Sequence, residues 1–239
     1  PGVRRGNHVG VLLGKGGTWV QVFYACAMLG AVTVPVNTRF KTDELAFCLR
    51  QADVKLLLPA DSFLGIDFLG LLTQVEPALD SGLPGEALPL LRRVVVLGAR
   101  CLAGAQPWQD FLRVGETVDD IELDAALRAV APDDVLLIQY TSGTTSFPKG
   151  VMLTHANMLT NAWAAAQRIG VRPDDRYFSI RPYFHVAGTT LSILVSLMTG
   201  CCLLTLPKFD VADALRMLDE ERCTLTSGND TIFLMLMGH

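Results

Sequence analysis

YTSGTTSFPKGV, residues Tyr140 to Val151, is the stretch on which the reading of this chain turns. It crowds serine and threonine hydroxyls, Gly143, Gly150, Pro148 and Lys149 into one short segment. Val135-Leu136-Leu137-Ile138, just before it, is a short apolar run of the kind that forms a buried strand. Val151-Met152-Leu153, just after it, leads to Thr154, which is expected to cap a helix. A loop of this composition at the end of a buried strand suits phosphate. Glycines let backbone amides turn toward an anion, while the hydroxyls and Lys149 add donors and positive charge.

A plain solvated turn would use many of the same residues. A Walker loop requires Gly, four residues, then Gly-Lys-Ser/Thr. Here Pro148 and Gly150 stand where that template wants Gly and Ser or Thr, so it fails twice. The stretch instead resembles the phosphate-binding loop of the adenylate-forming (AMP-binding) enzymes: acyl-CoA synthetases, luciferases and the adenylation domains of peptide synthetases. The resemblance implies that Thr141, Ser142, Gly143, Thr144, Thr145, Ser146 and Lys149 hold the β- and γ-phosphates of ATP. Ser146 is the one departure, standing where the family usually has glycine. If that position needs positive φ, serine costs about 1–2 kcal/mol more than glycine.

At 239 residues, half of them hydrophobic and 18% charged, the chain can bury one large core or two smaller ones. A net charge of −4 with no long basic run argues against a nucleic-acid partner. The six cysteines share no CxxC spacing, and the four histidines are scattered, so neither zinc nor a disulfide scaffold is indicated. The thiols read as reduced and buried, hence a cytoplasmic protein. The start at Pro1, without Met and close to the first strand, reads as that of a fragment. Val186 to Leu206 carries no charge, but interspersed glycine, serine and threonine favour a buried helix, a glycine turn and a buried strand over a membrane span.

Along the chain, strands are expected at His8 to Leu13, Val32 to Val36, Lys55 to Leu58, Val94 to Leu97, Arg176 to Ile180 and Cys223 to Thr226. Helices are expected from Thr18, from Thr42, across Phe63 to Leu79, from Thr154 and from Asp210, with short ones near Trp108 and Asp124. Gly14-Lys15-Gly16-Gly17 lacks the third glycine of a dinucleotide fingerprint. Alternating strands and helices give an α/β fold, mostly parallel sheets with flanking helices. The family resemblance implies stacked layers, as in the N-terminal part of acyl-CoA synthetases. One would comprise residues 1–36 and 181–239, and the other 37–180, containing the phosphate loop and the helix after it.

Arg181-Pro182-Tyr183-Phe184-His185-Val186-Ala187-Gly188 is similar to the family's second active-site segment. There an aromatic-His pair, here Phe184 and His185, lies beside the carboxylate and the thiol entry path. Phe-His at this point is closer to acyl-CoA synthetases than to amino-acid-activating domains, which generally carry Asp after the aromatic. Ser227-Gly228-Asn229-Asp230 stands where the family shows a Gly-x-Pro turn near the acyl pocket. Its polar residues point either to an acid with a polar group or to a cap on the last helix.

The resemblance implies ATP, Mg2+ and coenzyme A as cofactors and co-substrates, with Lys149 and His185 catalytic and Phe184, His185 and Gly228 at the acid. The implied function is an acid–thiol ligase for a fatty or other apolar carboxylic acid, present as its N-terminal fragment and inactive as that fragment. No residue of this stretch is implied as a metal ligand, and a homodimer is compatible with the sequence. Two alternatives stay open: an adenylating enzyme with another acceptor, and a non-catalytic nucleotide- or acyl-binding module.

Overall fold

Strand β1 (His8–Leu12) lies at the middle of a seven-stranded sheet, and its last four residues are buried. The computed structural model describes residues 2–141 and 148–238. These fall into two units: Pro1–Gly14 with Gln21–His155, and Lys15–Val20 with Ala156–His239.

Helix α1 (Gly17–Met28) begins in the second unit and from Gln21 belongs to the first, where it leads to β2 (Val32–Pro35), and α2 (Thr42–Gln51) leads to β3 (Leu56–Pro59). A small hairpin, β4 (Ser62–Phe63) and β5 (Ile66–Asp67), precedes α3 (Phe68–Val75). Strands β6 (Arg93–Val96) and β7 (Gln106–Pro107) follow, then α4 (Trp108–Gly115) and α5 (Asp120–Arg128). The unit closes with β8 (Val135–Tyr140) and β9 (Gly150–Thr154). The sheet order is β7-β6-β3-β1-β2-β8-β9. Every pair is parallel except β8 with β9.

Helical spacing and strand burial meet in the core. α2 supplies Leu45, Cys48 and Leu49, and α3 supplies Phe68, Leu69, Leu72 and Val75. These join Leu12, Val34, Leu57 and Val94 in one apolar cluster. Each such side chain contributes about 1.5–3 kcal/mol by leaving water. Gly14 is explained by this packing alone: a Cβ there would lie 2.1 Å from the Phe63 ring.

The second unit is built on α6 (His155–Ile169), which buries Met158, Ala162 and Ala166 along one face. Strand β10 (Arg176–Ser179) follows. The uncharged stretch then folds as α7 (Val186–Gly188), a π-helix over Thr189–Leu194 and α8 (Val195–Thr199). It turns at Gly200 into β11 (Cys202–Leu204). Among the described residues no helix is long and apolar enough to cross a membrane. Helix α9 (Val211–Glu220) is capped by Asp210, and β12 (Leu225–Ser227) precedes α10 (Asp230–Met237). The three strands form a parallel sheet in the order β11-β10-β12.

The α/β architecture is the expected one, and four details differ from the sequence reading. The helix expected across Phe63 to Leu79 is confined to α3, because the β4–β5 hairpin turns at Gly65 and Asp67 caps the helix through Gly70 N. Glu76 and Pro77 then lead into a 3-10 turn. Val151 to Leu153 is part of a strand on the sheet edge instead of a lead-in to a helix. The strand pairing also differs from the layering expected for 1–36 and 181–239: β1 and β2 lie between β3 and β8 in one ladder. Periodicity identifies a strand, whereas its partners are chosen by contacts distant in sequence.

Lastly, the thiols are not uniformly buried: Cys26, Cys48 and Cys201 are, but Cys101 and Cys202 are exposed. Burial pushes the Cys26 and Cys48 thiols up to about 12. Since the thiolate is the reactive form, brief iodoacetamide treatment of the native protein near pH 8 should modify Cys101 and Cys202. Peptide mass spectrometry should find Cys26 and Cys48 unmodified until the protein is denatured.

Candidate functional site

β8 runs parallel to β2 and antiparallel to β9, so the YTSGTTSFPKGV segment is a hairpin connection at the carboxyl end of β8. Tyr140 pairs with Gly150, and Thr141 N donates to Lys149 O at 3.0 Å. That rung closes the base of the loop and holds Thr141 and Lys149 opposite one another. Tyr140 anchors the strand end through its hydroxyl, which donates to Cys48 O at 3.2 Å. Thr141 and Lys149 are both exposed. Ser142, Gly143, Thr144, Thr145 and Ser146 lie outside the described residues.

The second unit gathers the other singled-out residues at one sheet edge. Ser179 of β10 is the register partner of Ser227 of β12. The segments beginning at Ile180 and Gly228 therefore leave the sheet side by side. The first carries Tyr183, Phe184 and His185; the second turns at Gly228 into α10, where Asn229 accepts from Ile232 N at 3.1 Å. That geometry is the helix cap, one of the two readings open for this turn.

His185 is the N-cap of α7 and is exposed. Its Nδ1 accepts from Ala187 N at 3.1 Å, which leaves the ring proton on Nε2. The imidazole is thereby set to donate from its outer nitrogen. Tyr183 is buried against Trp19, with ring centroids 5.5 Å apart, and burial pushes its phenol up. Phe184, the next residue in the chain, is partly buried. Gly188 closes the turn, because a Cβ there would lie 2.1 Å from Pro182 O.

Sequence reasoning missed two features of this edge. The first is Lys15, in the Gly14-Lys15-Gly16-Gly17 stretch that falls short of a dinucleotide fingerprint. Its Nζ donates to Ile180 O at 2.8 Å, at the root of the His185 segment, and burial pushes it down to about 8. The second is a chain of polar groups. Arg181 Nε donates to Ser227 Oγ at 3.2 Å, Ser227 lies 2.5 Å from Tyr177 Oη, and Tyr177 donates to Leu191 O at 3.0 Å. A buried tyrosine two residues before the end of a strand is a signal that its hydroxyl must find partners. Among the described residues no group of three His, Cys, Asp or Glu side chains could hold a metal ion.

The chain belongs to the AMP-binding enzyme family, whose model matches residues 1–239. It is 34% identical to YngI of Bacillus subtilis over 100% of this chain and 44% of that protein. It is 33% identical to the long-chain-fatty-acid–CoA ligase FadD13 of Mycobacterium tuberculosis over 92% of this chain and 39% of the relative. The chain thus spans less than half the length of these curated relatives. Among solved structures it matches the anthranilate CoA ligase AuaEII in complex with anthranoyl-AMP, with a TM-score of 0.81 and 25% identity. That match covers 98% of this chain and 42% of AuaEII.

Gly188→Ala should drive a methyl into the Pro182 carbonyl and displace the turn that carries His185. An overpacked site of this kind costs about 1–3 kcal/mol. Urea unfolding of the two proteins should show that loss as a lower midpoint with an unchanged slope.

Proposed function

We propose that the protein is an ATP-dependent acid–thiol ligase, an acyl-CoA synthetase that activates a fatty or other apolar carboxylic acid through an acyl-adenylate. The observation that carries this reading is the family membership of the whole chain together with the hairpin loop ending in Lys149. The long-chain-fatty-acid–CoA ligase among its relatives supports the apolar acid. The Phe184-His185 pair supports an acyl-CoA synthetase over an amino-acid-activating domain. We place the reaction in the cytoplasm, with coenzyme A as the thiol.

In the first step a carboxylate oxygen attacks the α-phosphorus of ATP and pyrophosphate leaves. Negative charge builds on the departing β- and γ-phosphates, and Lys149 with the hydroxyls from Thr141 to Ser146 meets it. One charge pair at 4 Å is worth about 4 kcal/mol at an effective dielectric of 20, before desolvation is subtracted. His185, donating from Nε2, holds an oxygen of the carboxylate or of the adenylate. Gly228 and Phe184 border the acyl chain. In the second step the thiolate of coenzyme A attacks the acyl carbon, the C–O bond to phosphate breaks, and AMP leaves with that oxygen. Mg2+ supplies charge neutralisation on the phosphates when it arrives with ATP.

Lys149 faces charge that exists only while pyrophosphate is forming. Lys149→Ala should therefore slow acyl-adenylate formation by about 10²–10³-fold, the cost of removing one preorganised electrostatic group. Thioester formation from supplied acyl-adenylate should stay near the wild-type rate. Separate assays of the two half-reactions check this, and equal losses in both would give the lysine a structural role instead.

A further inference from the structure

The steps above make no use of Arg181, yet it is a partly buried cation with most of its hydrogen-bonding capacity unspent. The direction of each bond around it can be worked out. Leu191 O can only accept, so the Tyr177 hydroxyl gives it its one proton at 3.0 Å. The contact between Tyr177 Oη and Ser227 Oγ, 2.5 Å, must then be donated by Ser227. Ser227 is left with lone pairs, and one of them accepts from Arg181 Nε at 3.2 Å. A single one-way chain thus runs from Arg181 through Ser227 and Tyr177 into the π-helix. Tyr177 is only 2% exposed, so the anchor of this chain is fixed.

A guanidinium carries five N–H donors, and Nε uses one of them. The other four sit on the two terminal nitrogens, and no described residue accepts from them. Arg5, Arg100 and Arg176 each pair with a carboxylate, whereas Arg181 meets none among the described residues. A guanidinium held by its inner edge presents a planar two-pronged fork, the shape that matches a carboxylate or phosphate. Partial burial without a counter-charge disfavours leaving such a group empty. The π-helix that ends the chain is a local irregularity of the kind often found at functional sites.

We infer that Arg181 is an oxyanion-binding residue, gripping a carboxylate or phosphate between its terminal nitrogens, with Ser227 and Tyr177 as its positioning residues. The identity of the oxyanion rests on the ligase reading: a second carboxylate on the acid, a phosphate of coenzyme A, or the pyrophosphate end of the nucleotide. The binding itself does not depend on that reading.

Isothermal titration of the protein with octanoate, octanedioate, coenzyme A, 3′-dephospho-coenzyme A and inorganic pyrophosphate tests the inference. Arg181→Gln should weaken at least one of these ligands by about 10–100-fold, the range for a charge-assisted pair. Arg181→Lys keeps the charge without the fork and should recover only part of the loss. Ser227→Ala, which unties the fork, should fall between wild type and Arg181→Gln. A loss on octanedioate but not octanoate assigns the acid, a loss on coenzyme A but not its dephospho form assigns the 3′-phosphate, and a loss on pyrophosphate assigns the nucleotide. Wild-type affinity for all five ligands in Arg181→Gln overturns the inference, as does failure of the wild type to bind any of them. Should Arg181→Gln misfold by circular dichroism, wild-type affinities in both Arg181→Lys and Ser227→Ala overturn it equally. Adenylate formation by the wild type, assayed alongside, separates the two claims. Weakened binding in Arg181→Gln without any adenylate from the full-length protein would sink the ligase reading alone. Adenylate formation with unweakened binding would sink this inference alone.

Discussion

Parallel pairing is the constraint on which the placement of every singled-out residue depends. When neighbouring strands run the same way, all their carboxyl ends, and the loops that leave them, lie at one edge of the sheet. In the first unit this sends the hydroxyl-rich loop out from β8, in line with the ends of β1 and β2. In the second unit the Ser179–Ser227 register sets the His185 segment beside the Gly228 turn. Neither arrangement needs a special interaction at the site itself. Apolar strands that must be covered by helices produce it, and the loops inherit their places.

Within the seven-stranded sheet the antiparallel return of β9 breaks that rule, and it closes the base of the segment between Thr141 and Lys149. A loop between a strand and a helix is tied at one end by the ladder. A hairpin loop is tied at both, here by the Tyr140–Gly150 pair and the Thr141–Lys149 bond. The closure leaves the side chain of Lys149 at the rim, while its backbone belongs to the sheet. A polar layer does comparable work in the second unit. Ser179 Oγ and Ser192 Oγ lie 2.6 Å apart, and Thr205 donates to Ser179 O at 2.8 Å. Buried hydroxyls of this kind stabilise only when partnered, and each bond then contributes about 0.5–1.5 kcal/mol.

Much of this was legible in the residues, for reasons that differ from place to place. The alternation of apolar runs and capped helices announced the α/β class, because burial on both faces writes unbroken runs such as Leu56 to Pro59. Asp210 and Asn229 were recognisable as caps because an oxygen one turn ahead of free amides has few other uses. Strand β9 was not legible: Val151, Met152 and Leu153 continue the apolar character of the loop's exit without alternation, and only the facing β8 makes them a strand. Lys15 and Arg181 were passed over for a related reason. Their partners, Ile180 and Ser227, are supplied by pairings distant in sequence, which no local pattern records.

The central claim is that a carboxylate oxygen of the acid becomes bonded to the α-phosphorus of ATP before the thiol enters. Turnover of an acid labelled with oxygen-18 in its carboxyl group, in the presence of ATP and coenzyme A, tests it directly by mass spectrometry of the products. AMP carrying one heavy oxygen from the acid, released together with pyrophosphate, is the result expected of an acyl-adenylate. Unlabelled AMP, or ADP with the label in inorganic phosphate, would contradict the assignment.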